Sequence, residues 1–177
     1  MKVSTRAHYG LRAMTELSRM HGHGLLSLAA ISRTEGLPLA YLEQLIGELR
    51  RAGLVEGVRG LHGGYRLTRP PSAITVGEVY RILEGPIAPV ECTADDYLPM
   101  SCAHEAGCGS KTIWSRVRDS ITSVLDTTTL EDLFCEGIAS GKAGSAPRSN
   151  NAANNLIAIE QIAGVRATGQ EGCLNTL

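Results

Sequence analysis

Aromatic side chains are scarce in this chain, at 4% of its 177 residues. Aliphatic side chains packed between helices must therefore supply most of the core. Long apolar runs are lacking too: the longest candidate, residues 25–31, includes a serine and falls far short of the roughly 20 residues that a membrane-spanning helix needs. The first ten residues contain no apolar signal core. We therefore expect a soluble, cytoplasmic protein that has no membrane partner.

Motifs for common enzyme chemistry are missing as well. The five cysteines form no C-x-x-C pair, and the chain shows no nucleotide-binding glycine loop and no paired catalytic carboxylates. We therefore do not expect an enzyme. Because disulfides are rare in the cytosol, clustered cysteines there more often bind metal or undergo redox chemistry.

Charge is unevenly distributed, although the formal net charge is only −1. Residues 1–70 hold ten Lys or Arg against five Asp or Glu, a net of +5, whereas residues 71–136 hold four against eleven, a net of −7. The first part suits a polyanionic partner such as DNA, and the second does not. Charge alone does not distinguish a DNA-binding surface from ordinary solvated charge.

The first part of the chain predicts three helices. Apolar residues recur at helical spacing from Thr5 to about Met20. Ser27 can cap a second, short helix that ends at Gly36, and Pro38 suits the first turn of a third helix. Two short helices joined by a tight, glycine-containing turn indicate a helix-turn-helix.

A β-hairpin is predicted directly after the third helix, because short apolar segments flank the glycine-rich turn RGLHGG. A helix-turn-helix followed by a hairpin is the order of a winged helix. Thr75 and Glu78 form a T-x-x-E capping box, which predicts a further helix that ends near Gly85. The predicted fold is mostly α with a small β-hairpin, and residues 1–85 form a winged helix-turn-helix DNA-binding domain. An unrelated α+β domain is the alternative.

The second part predicts a loop, a long helix and a tail. Residues 86–109 carry prolines and three cysteines and are expected to form a sensor loop. Apolar residues at three- and four-residue steps in residues 110–136 predict a long dimerisation helix and a short terminal helix. The seam of the long helix is expected to pair with its copy in a homodimer; the alternative is packing against the chain's own first helix, and both can hold at once. Residues 137–177 are rich in Gly, Ala, Ser and Asn and are expected to be a disordered tail.

Side chains on the third helix and the hairpin are candidates for contacts with a double-stranded DNA operator. A recognition helix reads base edges with its first turns, and the positions predicted to face outward there are Ala40, Tyr41, Glu43 and Gln44. Gln can bond adenine, and Glu can accept a hydrogen bond from cytosine. The candidates for backbone contacts are basic residues: Arg50, Arg51, His62, Arg66 and Arg69. Arg59, at the wing tip, suits a narrow minor groove.

The segment CTADDYLPMSCAHEAGC holds three of the five cysteines, and its spacing leaves three interpretations open. Nine residues separate Cys92 from Cys102 and five separate Cys102 from Cys108, which fits poorly the short knuckles of structural zinc. A thiol sensor needs only reactive cysteines. An iron–sulfur cluster takes thiolates from a loop, and the helix start expected after Cys108 favours negative charge.

Three segments resemble the Rrf-type winged helix-turn-helix transcriptional regulators, a family that includes IscR-, NsrR- and RirA-like iron–sulfur regulators. They are MKVSTRAHYGLRAMTEL, PLAYLEQLIGELRRAGLVEGVRGLHGGYRL and CGSKTIW with LDTTTLEDL, and the resemblance covers residues 1–136. It implies a homodimer held by the long helix, with Glu43, Gln44 and Arg59 reading the operator. A serine common in the family is replaced here by Ala40. The resemblance also favours an iron–sulfur cluster, 2Fe–2S or 4Fe–4S, on the three loop cysteines.

The fourth cluster ligand is not in the place that IscR-like members use. Those members have the pattern C-x-x-H-x-x-W, whereas Lys111 stands here at the histidine position, with Trp114 in register. NsrR-like members take an oxygen ligand from the first helix of the partner subunit, and His8 occupies the matching position. The resemblance thus makes His8 the candidate ligand, with His104 or an external ligand as alternatives. The rival function is a regulator of the same family without a cluster, which senses thiol oxidation, a metabolite or a partner enzyme.

Overall fold

The computed structural model describes residues 4–60 and 63–139, including all their side chains except those of residues 106 and 135–139. The backbone contact predicted for His62 and the tail predicted beyond residue 139 lie outside the described residues.

Three helices form the first part of the protein, in the order that the apolar spacing predicts. α1 spans Thr5–Arg19, α2 spans Leu28–Glu35 and α3 spans Leu39–Arg51. α3 starts one residue later than predicted, because Pro38 has an extended backbone and is the N-cap residue rather than the first helical residue.

The turn between α2 and α3 is fixed by local chemistry. The Ser27 side chain accepts a hydrogen bond from the amide of Ala30 and so caps the start of α2. Gly36 ends α2 in the left-handed conformation, with φ of 64°, which a residue without Cβ adopts at little cost. α2 and α3 are thereby joined tightly enough to form the predicted helix-turn-helix.

A two-stranded antiparallel hairpin follows α3. β1 spans Val55–Val58 and β2 spans Gly64–Leu67, with Val55 opposite Leu67. Leu26, just before α2, forms a bridge with Tyr65 on β2, and the two backbones exchange hydrogen bonds of 3.0 and 2.9 Å. The hairpin is therefore anchored to the helix-turn-helix, and the predicted winged-helix order is confirmed.

Three further helices complete the described chain. α4 spans Val76–Glu84, α5 spans Gly109–Thr127 and α6 spans Leu130–Ala139. Between α4 and α5 the chain forms only short 3₁₀ turns, at Glu91–Thr93 and Glu105–Gly107. α6 continues three residues past position 136, where the change in composition had placed the start of the tail.

The predicted capping box at the start of α4 forms only in part. The amide of Glu78 donates to the Thr75 hydroxyl at 3.1 Å, as expected of an N-cap. The Glu78 carboxylate instead accepts from Nη2 of Arg69 at 2.6 Å. A nearby cation outside the helix competes successfully for this carboxylate.

The core lies between α1, α3, α4 and the hairpin, and α6 closes it. Its fully buried aliphatic side chains include Met14, Leu17, Ile31, Leu42, Leu45, Ile46, Leu49, Leu54 and Ile74. Leu130, at the start of α6, is also 0% exposed, and its amide donates to the Ile74 carbonyl at 3.0 Å. α6 is thereby fixed to the DNA-binding domain despite its distance along the chain.

α5 buries none of its own residues within the protomer, although it is the longest helix among the described residues. Ile113, Trp114 and Val124 expose 50%, 41% and 63% of their surfaces. Apolar residues left open along one helix are typical of an interaction surface. No helix in the described part of the chain combines the length and the apolar character that crossing a bilayer requires.

Candidate DNA-reading surface and cysteine loop

The start of α3 presents polar side chains to solvent. Ala40, Glu43 and Gln44 are exposed, while Leu42, Leu45, Ile46 and Leu49 face the core. The helical period separates the two faces. Arg50 and Arg51, in the last turn of α3, are also exposed, and none of the ion pairs among the described residues involves them. The surface offers polar hydrogen-bonding groups at one end and cations without ion pairs among the described residues at the other.

Tyr41 does not face outward as predicted. It is half-buried, and its ring meets the ring of Tyr9 on α1 edge to face, with centroids 6.1 Å apart. The Arg12 guanidinium lies 5.9 Å from the Tyr9 ring centre. The reason is tertiary: α1 covers this side of α3, so an aromatic ring at this position gains more from packing than from exposure.

The hairpin holds one free arginine and two paired ones among its described candidates. Arg59 is exposed at the tip, and no ion pair between described residues takes it. Nε of Arg66 lies 2.5 Å from Oε1 of Glu56 on the neighbouring strand, and Arg69 is bound to Glu78. A phosphate would have to compete with these carboxylates for Arg66 and Arg69, whereas Arg59 is available.

The cysteine loop is closed around a carboxylate that the sequence did not single out. Glu105 accepts hydrogen bonds from Nζ of Lys111 at 2.5 Å, the amide of Met100 at 2.6 Å and the hydroxyl of Tyr97 at 3.2 Å. These hydrogen bonds, that from Lys111 above all, hold the pKa of Glu105 below its ordinary value. Met100 adopts a φ of 68°, in the left-handed region. No periodic or spacing signal marks Glu105, because its donors come together only in the folded loop.

Lys111 is occupied in this arrangement. Its ion pair with Glu105 raises the pKa of Lys111, so the amine remains protonated at neutral pH. The ammonium also lies 5.3 Å from the centre of the Tyr97 ring. A protonated amine offers no lone pair, so Lys111 does not replace the histidine that IscR-like sequences carry at this position.

Cys108 lies where the cysteine loop meets α5. It is the N-cap residue of α5, and its Sγ lies 3.1 Å from the Ser110 hydroxyl. The hydrogen bond with Ser110, together with the amide of Lys111, lowers the pKa of Cys108. The thiol borders an open cavity of about 670 Å³ that is also lined by Lys111 and Arg116. Cys108 is therefore suited to act as a thiolate, either as a nucleophile or as a metal ligand.

The four predicted metal ligands are not brought together within one protomer. Cys92, Cys102 and Cys108 are free thiols, and Cys102 is exposed. His8 is exposed on α1, with its ring 5.8 Å from that of Tyr9. In the described part of the chain, no three His, Cys, Asp or Glu residues are grouped closely enough to hold a metal ion. In number and chemistry the three thiols fit a cluster, and their present arrangement does not yet form a ligand sphere.

Contacts between the cysteine loop, α4 and α5 were also missed by the sequence analysis. Nη1 of Arg118 on α5 donates to the carbonyl of buried Thr93 at 2.9 Å. Arg81 on α4 forms a two-branched ion pair with Asp126 on α5, at 2.6 and 2.8 Å. The hydrogen bonds with Asp126 are the main cause that raises the pKa of Arg81, and the same hydrogen bonds lower the pKa of Asp126. Side chains therefore link the loop to α5, and α5 to α4.

A helix-turn-helix with an exposed polar face, an anchored wing and free arginines defines a winged-helix DNA-binding protein. Comparison with known proteins supports this class and gives the family. A family model described as "Rrf2: Iron-dependent Transcriptional regulator" matches residues 3–136. The chain belongs to the Rrf2 family of transcriptional regulators.

Named relatives and solved structures agree with this assignment. The chain is 47% identical over 133 residues to the HTH-type transcriptional regulator CymR of Bacillus subtilis, covering 75% of this chain and 89% of that protein. It is 35% identical over 136 residues to the HTH-type transcriptional regulator IscR of Aliivibrio salmonicida, covering 77% of this chain and 79% of that protein. The solved structure titled as CymR, the global cysteine regulator of B. subtilis, matches with a TM-score of 0.66 at 45% identity, covering 77% of this chain and 98% of that one. A structure titled T. potens IscR matches with a TM-score of 0.66 at 40% identity, covering 82% of this chain and 94% of that one.

Proposed function

We propose that this protein is a homodimeric, sequence-specific regulator, most simply a repressor, whose operator affinity depends on the state of the cysteine loop. Two observations together support the proposal: α3 has an exposed polar face, and the wing carries an exposed arginine without an ion pair among the described residues. Glu43 and Gln44 face solvent where base edges are read. Arg50, Arg51 and Arg59 supply unpaired positive charge for the phosphate backbone and the minor groove.

Dimerisation through α5 is supported by the surface that this helix leaves open. Ile113, Trp114 and Val124 expose much of their area although they are apolar. A second copy of α5 would remove this surface from water and would place two recognition helices on one operator. Sedimentation should show a dimer that Trp114→Glu weakens and that Ser123→Glu, at an exposed polar position of the same helix, does not. A monomeric wild-type chain would contradict this part of the proposal.

DNA reading can be tested without knowing the operator. The full-length chain is used to select duplexes from a random-sequence library, and the dissociation constant is then measured for the selected and a scrambled duplex. Gln44→Ala should lose about 1–3 kcal/mol of preference for the selected sequence. Affinity for the scrambled duplex should not change, because non-specific binding is mainly electrostatic. Ser123→Ala, on α5, is the control. Failure of the wild-type chain to select any sequence would refute the function.

For the state of the loop, we propose an iron–sulfur cluster held by Cys92, Cys102 and Cys108, with His8 of a second copy as the fourth ligand. Three thiols on one loop supply the donor chemistry, and the lowered pKa of Cys108 favours a thiolate ligand. When bound, such a cluster would supply sensitivity to oxidants and to iron supply. His8 is exposed, so it is accessible to another subunit.

The second candidate is a thiol sensor without a cluster, and a specific observation favours it. The hydrogen bond with Ser110 lowers the pKa of Cys108, which increases the share of the reactive thiolate form. The donors stay apart in the described structure, while Lys111 is tied to Glu105. In this case Cys108 itself would respond to oxidation, with Cys102 or Cys92 available to resolve it as a disulfide.

One experiment separates the two candidates. The full-length protein is reconstituted anaerobically with iron and sulfide, and its iron, sulfide and absorption spectrum are measured. A cluster predicts stoichiometric iron that is lost in Cys108→Ser and reduced in His8→Ala, but retained in Cys173→Ser, which lies outside the loop. Iron-free protein whose operator affinity still changes on peroxide treatment would support the thiol sensor instead. Iron-free protein with no peroxide response would refute both candidates and leave DNA binding untouched.

A further inference from the structure

Arg6 joins three helices through one guanidinium group. It lies in the first turn of α1, and its Nε donates to the Leu83 carbonyl, in the last turn of α4, at 2.9 Å. Its Nη2 lies 2.5 Å from Oε2 of Glu48 on α3. Leu83 has one of the last carbonyls of α4, which lack a partner within their own helix. One side chain therefore contacts the recognition helix and the end of α4 at the same time.

The surroundings of Arg6 hold the start of α1 firmly against α4. The Glu84 carboxylate accepts hydrogen bonds from the Ser4 hydroxyl and from the amide of Ala7, the latter at 3.2 Å. A Cβ added to Gly10 would overlap with Cδ1 of Leu83, so the two helices are in close contact there. Because α1 and α4 are fixed to each other, the bridge from Arg6 to Glu48 constrains where α3 lies relative to both.

Glu48 is placed so that its position affects base reading. It follows Gln44 by four residues on α3, so the two side chains project from neighbouring points on one side of the helix. We propose that Arg6 is a positioning residue for operator recognition, which holds α3 against α4 through Leu83 and Glu48 and so sets the spacing of the two recognition helices. This inference rests on the proposed function of α3.

α4 also contacts the dimerisation helix, α5. The position of α4 therefore bears on the spacing between the two recognition helices of a dimer. Both terminal nitrogens of Arg81 bind the Asp126 carboxylate on α5. A Cβ on Gly77 would overlap with Oδ1 of Asp126, so α4 and α5 meet closely at this point. The chain of contacts runs from α5 through Asp126, Arg81 and the backbone of α4 to Arg6 and α3. Any shift of α4 relative to α5 would move the recognition helix.

A purely stabilising role is the alternative explanation, and the choice of variants addresses it. Arg6→Lys keeps the charge but cannot donate along two fixed directions at once. Glu48→Gln removes the charge of the acceptor. The matched control is Glu35→Gln, which breaks the ion pair between Arg12 on α1 and Glu35 on α2 without involving α4 or α5. The Arg12 and Glu35 side chains are 36% and 17% exposed and those of Arg6 and Glu48 are 40% and 24% exposed, so both pairs are partly solvated.

The test measures the dissociation constants of the full-length protein for three DNA probes. They are the duplex that the wild-type chain selects from a random library, the same duplex with one base pair inserted between its half-sites, and a scrambled duplex. Arg6→Lys should reduce the preference for the selected over the scrambled duplex about tenfold, equivalent to about 1.4 kcal/mol. It should also reduce the discrimination against the inserted base pair. Binding to the scrambled duplex and the thermal midpoint should stay close to wild type.

The outcomes distinguish the explanations. In a variant that combines Arg6→Lys with Glu48→Gln, the loss should equal that of Arg6→Lys alone, because both substitutions break the same contact. Wild-type discrimination of spacing in both single variants would overturn the proposal, as would an equal loss in Glu35→Gln. A loss that affects the scrambled duplex equally and follows the thermal midpoint would show a structural role only and would also overturn it. If Arg6→Lys does not fold, Glu48→Gln decides the matter alone. If the wild-type chain selects no duplex, the proposed function fails first and this inference with it.

Discussion

Replacing Arg59 by alanine should weaken operator binding, and the size of this loss should depend steeply on salt concentration. Arg59 is exposed at the wing tip, and no ion pair among the described residues neutralises it. An arginine in this state keeps its full charge for DNA. When it neutralises phosphate charge, the DNA releases condensed counterions, and this release makes affinity dependent on salt concentration.

The magnitude follows from the geometry of a symmetric dimer. Each neutralised phosphate contributes about 0.9 to the slope of log affinity against log salt concentration, so losing two wing arginines should reduce the slope by about 1.8. Over a fourfold rise in salt, from about 50 to about 200 mM, this slope change corresponds to about a twelvefold difference. The affinity deficit of Arg59→Ala should therefore shrink by about that factor between the two salt concentrations.

The assay is fluorescence anisotropy of a labelled duplex, titrated with protein at several salt concentrations. Arg116→Ala is the control, because it removes an equally exposed charge from α5, outside the winged helix. A slope in Arg59→Ala equal to that of wild type would refute the reasoning, since the wing would then not contact DNA. An equal reduction in Arg116→Ala would also refute it, because net charge rather than position would be responsible.

Two further predictions concern stability and thiol reactivity. Leu130 is 0% exposed, so Leu130→Ala should lower the free energy of unfolding by about 2–5 kcal/mol, as measured by urea denaturation. Leu98→Ala, at a position that is 75% exposed, should change it by less than about 0.5 kcal/mol; similar losses in both would contradict the role given to α6. Ser110→Ala should raise the pKa of Cys108 towards its ordinary value, because the Ser110 hydroxyl is the main cause of its lowering. The rate of Cys108 alkylation should then fall at neutral pH, and the increase of this rate with pH should begin at a higher pH. The alkylation rate of Cys102 in the same protein is the internal reference. An unchanged pH profile would show that Ser110 does not stabilise the thiolate.

The elements of the fold were accessible from the sequence because their signals are local. Ser27 caps the start of α2 and Gly36 ends it, both through interactions with residues close in sequence. The glycine-rich turn after Val58 predicts the hairpin. The spacing of apolar residues separates the buried face of α3 from its polar face, so Glu43 and Gln44 were correctly predicted to face solvent. Helix bounds, turn positions and face assignments depend on residues within a few positions of each other.

The failures involve partners that are distant in sequence. Tyr41 was expected to point outward but is half-buried against Tyr9, because α1 covers that side of α3. Glu78 was expected to complete a capping box but binds Arg69, which the end of the hairpin brings within reach. Both side chains had a locally reasonable role, and a longer-range contact of lower free energy replaced it.

The sequence by itself determined the winged-helix order, the apolar stripe of α5 and the placing of three cysteines between α4 and α5, because composition and spacing encode these directly. Only the tertiary structure decided that Glu105 closes the loop on Lys111, that Arg81 binds Asp126 and that Arg6 reaches Glu48. A charged side chain chooses among all oppositely charged groups within a few ångströms, and which groups those are is set by helix packing. The links between the loop, the dimerisation helix and the recognition helix therefore appear only when the helices are in place.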